Sequence, residues 1–194
     1  MADQKISAMP SALTLTGAEL VPLVQSGVNV QTTLSTLSLF ANAYGAWSDS
    51  TDQTGSISAG TAITYNTQDV SDGVTLANNS EVTVPTDGKY NLQFSTQFKN
   101  TDNAQHEAVV WLKINGLDLA NSATQYTIPA RKNASIMGYN VASLTFLLDL
   151  NANDYVEVFW LPSSASVTIE HLPASVSPAY PAIPSVILTM LQVA

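Results

Sequence analysis

The segment that decides the fold is GKYNLQFSTQF, residues 88–98. Its large apolar side chains alternate with polar ones and are Tyr90, Leu92, Phe94 and Phe98. Alternation predicts a half-buried β-strand, because successive side chains of a strand point to opposite faces of the sheet. The Asp87-Gly88 pair at its start is typical of a tight turn. We therefore expect a long strand with one face in the core.

Short apolar runs separated by turn signals follow this segment. They are His106–Ile114, Leu117–Ala120, Asn140–Leu150, Tyr155–Trp160, Ser166–Glu170 and Ser185–Val193. Asn115-Gly116 is the strongest short signal for a hairpin between two of them. The last run is uncharged and apolar on both faces, which predicts a strand covered on both sides, either inside a sandwich or at a subunit interface. About eight antiparallel strands in roughly 130 residues indicate a mainly β protein with a jelly-roll sandwich.

The beginning of the chain has a different composition and is predicted to form an arm, residues 1–46. Glu19–Val24 and Val28–Thr32 flank a Gln-Ser-Gly turn and indicate a small hairpin. Thr33 is a candidate cap of a short helix. The residues on one face of that helix are Leu34, Leu37, Ala41 and Tyr44. Because so short a helix is marginal alone, the arm is expected to need a partner surface.

Two further divisions follow from composition. Residues 47–60 are polar and contain Gly, which is typical of a linker. Residues 61–194 carry the strand pattern and are predicted to form the jelly-roll domain. Such a domain is long enough to bury an ordinary core without disulfides, and the chain has no cysteine.

Charge excludes several classes of partner. Only 11% of the residues are charged, against about 25% in an average protein, and the net charge is −9. Neutral polar surfaces suit extended protein contacts, since each buried charge needs a partner. The six basic residues form no cluster larger than the pair Arg131-Lys132, which argues against nucleic-acid binding. The sequence also predicts no secretion signal and no membrane span.

The sequence offers little for catalysis or metal binding. His106 and His171 lie at strand ends without a third ligand at local spacing, so a zinc site is not expected. The acidic loop residues lack the spacing of an EF-hand; they are Asp49, Asp52, Asp69 and Asp72. Neither a Gly-x-Ser-x-Gly elbow nor a Gly-rich phosphate loop is present. We expect a protein that is not an enzyme and has no cofactor.

The tryptophans allow two interpretations. Trp111 and Trp160 fall in predicted strands, where packing in the core or between subunits is the ordinary role. Trp111 lies on the face opposite Val110 and Leu112 and shares that face with Val109, so this strand too has two apolar faces. A platform on which sugars stack is the alternative.

Two resemblances cover most of the chain. The segments 5–12, 15–28 and 32–37 resemble N-terminal segments of tailed-bacteriophage virion proteins, where they tend to precede a fibre or decoration domain. The segments 84–94, 150–160 and 184–193 are similar to strands of C1q/TNF-like jelly rolls. The second resemblance implies a compact homotrimer with its first and last strands near the threefold axis. It brings no catalytic residues, and no calcium ligands can be matched.

These resemblances lead to a functional expectation. The lead is a capsid decoration (cement) or head-fibre protein, made in the host cytoplasm and placed on the outer surface of the virion. Its partners would be itself, as a homotrimer, and the major capsid protein or another virion protein. The capsid-docking residues predicted in the arm are Leu20, Val21, Leu23, Val24, Leu34 and Leu37. The predicted trimer-interface residues are Trp111, Val186, Leu188, Met190 and Leu191.

Three other functions remain open. The runner-up is a short tail-fibre or receptor-binding protein that recognises glycans on the host surface. A secreted C1q/TNF-like ligand and an enzyme follow it. The shortness of the chain favours decoration over a tail fibre, because fibres usually place a long shaft between anchor and head.

Overall fold

The computed structural model describes residue 16, residues 18–34 and residues 42–194. The chain divides into two compact units, Met1–Asn42 and Ala43–Ala194. Apart from Leu34, which is helical at the end of a described range, the secondary-structure elements of the described residues are strands. They are β1 (Leu20–Gln25), β2 (Val28–Thr33), β3 (Tyr44–Asp49), β4 (Gln53–Thr54), β5 (Thr61–Ala62), β6 (Thr67–Asp72), β7 (Thr75–Ala77), β8 (Glu81–Thr83), β9 (Gly88–Asn100), β10 (His106–Ile114), β11 (Leu117–Asp118), β12 (Thr124–Ile128), β13 (Gly138–Leu150), β14 (Tyr155–Pro162), β15 (Val167–Ile169), β16 (Ser175–Val176), β17 (Ala179–Tyr180) and β18 (Val186–Gln192).

The first unit contains the predicted hairpin. β1 and β2 pair antiparallel, from Leu20 opposite Thr33 at the open end to Gln25 opposite Val28 at the turn. Gly27 has a φ of 78°, the left-handed conformation that glycine adopts without steric cost. The helix predicted after Thr33 falls largely on residues 35–41, which lie outside the described residues. Its last predicted residue, Tyr44, lies in β3 and is therefore not helical.

The second unit consists mainly of two antiparallel sheets of seven strands each. The first sheet has the order β11-β10-β14-β8-β7, with β12 beside β10 and β5 beside β14. The second sheet has the order β4-β15-β9-β18-β3-β6, with β13 beside β9. The register between β3 and β6 shifts between Ala46 and Trp47, which places an irregularity in the edge strand β6. The prediction of a mainly β, antiparallel domain is confirmed.

Eight of these strands pair in a nested order. β3 pairs with β18, β8 with β14, β9 with β13, and β10 with β12. In chain order the first strand thus meets the last, the second meets the seventh, and so on inward. Such nesting arises when one long hairpin is rolled up, so strands far apart in sequence become neighbours.

The core lies between the inner faces of the two sheets. Phe98 of β9 and Trp160 of β14 contact each other across it, with ring centroids 5.7 Å apart. Both side chains are fully buried. The alternation predicted for residues 88–98 is present, because Tyr90, Leu92 and Phe94 are also buried. Burial of large aromatic rings is the main source of stability in a core of this kind.

The boundary between the units differs from the predicted one. Tyr44–Asp49, of which the last three residues were expected in a linker, form a strand between β18 and β6. Trp47 is fully buried there. Its indole ring lies over Gly45, where any side chain would clash with it. Because Trp47 belongs to the core, the second unit begins at Ala43 rather than after a linker of residues 47–60.

Candidate interaction surface

The second sheet turns one face away from the core, and we call it the outer face. It consists of the outward-pointing residues of β3, β18, β9 and β13. The large apolar residues exposed on or beside it are Tyr44, Val70, Tyr139, Val141, Leu147, Ile187, Leu191 and Val193. Exposed large apolar side chains gathered on one sheet face are a feature of interaction sites.

The alternation of β18 creates much of this surface. Val186, Leu188 and Met190 point inwards and are 1% exposed. Ile187 and Leu191 point outwards and are each 43% exposed. β18 thus has apolar side chains on both faces, as the sequence predicts, but the described part of the chain covers only one face.

Neutral polar side chains fill the middle of the outer face. Ser95 lies opposite Ile187 on one side and Ser143 on the other. Gln93 occupies the equivalent position between Thr189 and Thr145. A shallow depression of about 220 Å³ opens here, lined by Gln93, Phe94, Ser95, Ile187 and Thr189. A partner that covers this area buries amides and hydroxyls, which need hydrogen bonds but no counter-charge.

Charged residues occur at the two ends of the outer face, where they are paired. Lys89 contacts Asp149 at 3.1 Å at one end. Lys99 contacts Glu170 at the other end, and both side chains are largely buried. The hydrogen bond from Lys99 to Glu170 raises the pKa of Lys99 above its ordinary value, and burial opposes this rise. Because the cations are engaged by neighbouring carboxylates, the area between the two pairs is neutral.

Three of the predicted trimer-interface residues have a different role. Val186, Leu188 and Met190 belong to the core of their own chain, because they face the first sheet, so they are not available to another copy. Leu191 is exposed on the outer face. No sequence signal distinguishes the two faces of β18, since both are apolar. The sequence analysis therefore did not single out Ile187, which is exposed on the outer face.

Trp111 lies on the outward side of the first sheet, away from the other predicted interface residues. Its ring centroid is 5.8 Å from that of Phe159, the residue opposite it on β14. Its indole nitrogen donates a hydrogen bond of 2.7 Å to Asp118. The Lys113 amine stands 4.5 Å above the Phe159 ring. These contacts form a half-buried aromatic patch with one acidic and one basic side chain at its rim.

The predicted docking residues in the arm are only partly described. Leu20 and Val24 are exposed on β1, at 59% and 67%. Val21, Leu23 and Leu34 are half-buried, and Leu37 lies outside the described residues. Val28, which was not predicted, is 61% exposed beside the turn. A two-stranded hairpin with this much exposed apolar surface is marginal in water, so a partner surface would stabilise it.

Ionisable groups elsewhere are engaged in local structure. His106 lies 2.8 Å from Asp102, and hydrogen bonding to His106 holds the pKa of Asp102 below its ordinary value. Burial raises the pKa of Tyr65 strongly, and Asp49 and Glu157 add to the rise. Among the described residues, no three His, Asp or Glu side chains come together to hold a metal ion.

No protein-family model matches the chain, and no curated protein is significantly similar to it. Within the part of the chain that the structure describes, no helix is long and apolar enough to cross a membrane.

Proposed function

We propose that this chain is a structural virion protein that decorates and stabilises a bacteriophage capsid as a homotrimer, without enzymatic activity. The observation that carries the proposal is the outer face, an exposed apolar and neutral surface with ion pairs only at its ends. Surfaces of this composition are typical of the centres of protein interfaces, from which charged residues are depleted.

The strand order supports a jelly roll for the second unit. Eight strands paired first with last, second with seventh, third with sixth and fourth with fifth form a rolled double hairpin over two sheets. This is the arrangement expected of a jelly roll, and the C1q/TNF-like resemblance adds the expectation of a trimer. We assign the contacts between subunits of the trimer to the outer face. We expect Ile187 and Leu191, which are exposed in the single chain, to be buried in these contacts.

The first unit supplies the capsid contact in this proposal. Its hairpin presents Leu20, Val24 and Val28 to solvent in a unit that is compact on its own. A protein that binds only the assembled shell stabilises it by mass action, by about 2.7 kcal/mol per site at a hundredfold excess over Kd. Repeated over many sites, this raises the temperature at which particles break.

A second candidate is a short tail-fibre or receptor-binding protein that recognises glycans. The aromatic patch at Trp111 and Phe159 favours it, because sugar rings stack on aromatic faces and bond to flanking charged groups such as Asp118. The patch is half-buried under side chains of the same chain, which makes it a smaller platform than the outer face.

Particles depleted of the protein distinguish the two functions. For a cement protein, the depleted particles release their genome at a lower temperature and still adsorb to cells normally. Adding back the purified protein restores heat resistance, whereas adding residues 43–194 alone does not. Particles that keep full heat resistance but lose adsorption would replace the cement function by the receptor-binding one. Light scattering tests the trimer, which has about three times the 20.6 kDa of one chain.

A further inference from the structure

The turn between β10 and β11 contains the only Asn-Gly pair of the sequence, Asn115-Gly116. Both residues have left-handed backbones, with φ of 51° and 77°. An asparagine before glycine is the sequence most exposed to spontaneous deamidation, because glycine has no side chain to hinder its own nitrogen. From sequence alone, this exposed turn is thus expected to lose its amide quickly.

The reaction needs no enzyme. The backbone nitrogen of Gly116 gives its proton to a base and attacks Cγ of Asn115, forming an N–Cγ bond and closing a succinimide ring. The Cγ–Nδ2 bond breaks, and the amide nitrogen takes a proton from water and leaves as ammonia. Water then opens the ring at either carbonyl and leaves aspartate or isoaspartate. Attack requires Cγ of Asn115 to rotate onto the Gly116 nitrogen.

The structure holds the Asn115 side chain through both of its polar atoms. Nδ2 donates a hydrogen bond of 2.8 Å to Oδ1 of Asp154, and Oδ1 accepts one of 3.1 Å from the Tyr155 backbone. The Asn115 backbone nitrogen also donates to the Tyr155 carbonyl, at 3.0 Å. These hydrogen bonds attach Asn115 to the start of β14. The side chain must break its hydrogen bonds to Asp154 and Tyr155 before the ring can close.

Asp154 is itself fixed by a second turn. Its other carboxylate oxygen accepts hydrogen bonds from the backbone nitrogen and the side chain of Asn151, at 2.8 and 3.2 Å. The hydrogen bond from Asn115 is the main cause that lowers the pKa of Asp154, so the carboxylate remains ionised at neutral pH. The Tyr155 hydroxyl also lies close to Gly116, because a Cβ atom at position 116 would be 3.3 Å from it. The acceptor and the turn are thus both held in place.

We propose that Asn115 is a latent deamidation site that Asp154 and the Tyr155 backbone keep closed. Deamidation then proceeds at the rate at which the β10–β11 turn detaches from β14. Once it occurs, a carboxylate at position 115 faces the carboxylate of Asp154, and the donor that joined them is lost. Two carboxylates at this distance repel each other, so the turn does not return to its original hydrogen-bonded position. The fraction of chains deamidated at Asn115 would therefore measure how often the β10–β11 turn detaches from β14.

The test is the rate of conversion at position 115, measured by mass spectrometry of peptides after incubation at mildly alkaline pH. The samples are the folded chain, the same chain unfolded in urea, Asp154→Ala, Asp154→Asn and the control Asp149→Asn. Asp149 is an exposed acid whose ion pair is with Lys89 and which makes no hydrogen bond to Asn115. Thermal unfolding of each variant establishes that it is folded during the incubation.

We expect the folded chain to deamidate at least about tenfold more slowly than the unfolded chain, because a hydrogen bond to a charged group is worth roughly one tenfold step. Asp154→Ala should recover most of that difference, Asp154→Asn part of it, and the control none. Equal rates in the folded and unfolded chains would overturn the proposal. So would a folded Asp154→Ala variant that deamidates no faster than the control. If neither Asp154 variant folds, the comparison of the folded and unfolded unmodified chain still decides.

Discussion

Trp47 and Leu188 lie directly opposite each other on β3 and β18, and both side chains are buried. This pair joins the first strand of the second unit to its last strand. The chain must be complete to its final strand before Trp47 is enclosed. The same pairing determines which face of β18 enters the core and which face is left exposed.

Two neighbouring substitutions in β18 separate folding from self-association. Leu188→Asp places a carboxylate in the core without a partner and should destabilise the domain by on the order of 3–5 kcal/mol. Ile187→Asp places the same group on the outer face and should leave thermal unfolding of the subunit nearly unchanged. Under the trimer proposal, it shifts the mass measured by light scattering to that of a monomer. A trimeric Ile187→Asp variant would move the interface away from the outer face.

Replacing Trp47 should lower the free energy of unfolding more than replacing Trp111. Trp47→Ala opens a large cavity in the core and is expected to destabilise the second unit by about 3–5 kcal/mol. Trp111→Ala removes a half-buried ring from the surface and should cost clearly less. Urea denaturation of residues 43–194 measures both. A larger loss for Trp111→Ala would show that the outward side of the first sheet is buried in solution.

The second unit should fold without the first. Residues 43–194 contain every strand of both seven-stranded sheets, and the boundary follows Asn42. The truncated chain is expected to give the same cooperative thermal transition as the full chain. Its affinity for shells that lack the protein should fall. Undiminished binding would contradict the assignment of docking to the first unit.

The ion pair of Lys99 and Glu170 predicts a loss of stability in alkali. The pKa of Lys99 is raised in the folded chain, so the stabilisation is fully present below the ordinary value of 10.5. It is lost as the pH rises through the higher folded value. Lys99→Met should abolish this alkaline limb in thermal melts. Lys89→Met, whose ion pair is exposed, is the matched control and should leave the limb in place.

The pair of Asp102 and His106 predicts the opposite dependence. The pKa of Asp102 is lowered, so its contribution is present above the ordinary value of 3.8 and is lost as the pH falls through the lower folded value. Asp102→Asn should flatten the acid limb of the stability curve. An unchanged acid limb would show that other carboxylates dominate it.

The alternation of apolar and polar residues was enough to predict the long strands but not β3. β10 has the predicted bounds, and β9 and β13 contain the predicted segments, because most of their inward positions hold apolar side chains at every second residue. In β3 the inward positions are Gly45, Trp47 and Asp49. A glycine and an acid at core positions conceal the alternation. Only the pairing with β18 explains why Trp47 is buried.

The candidate surface was predictable in kind but not in position. An uncharged last strand with two apolar faces indicated a strand covered on both sides, either inside a sandwich or at a subunit interface. Which face enters the core depends on the register with β3 and β9, which the sequence does not contain. Trp111 and Leu188 were expected at one interface. Trp111 instead lies on the outward side of the first sheet, and Leu188 lies in the core on the inward side of the second sheet.

The irregular edge strand β6 limits how copies of this domain can join. An open sheet edge is a template for another strand, and repeated addition would produce a filament. At this edge the ladder with β3 shifts register, and Asp69 and Asp72 add negative charge. An incoming strand would meet an interrupted row of hydrogen-bonding groups and two like charges. Addition of a further strand at the β6 edge is therefore disfavoured.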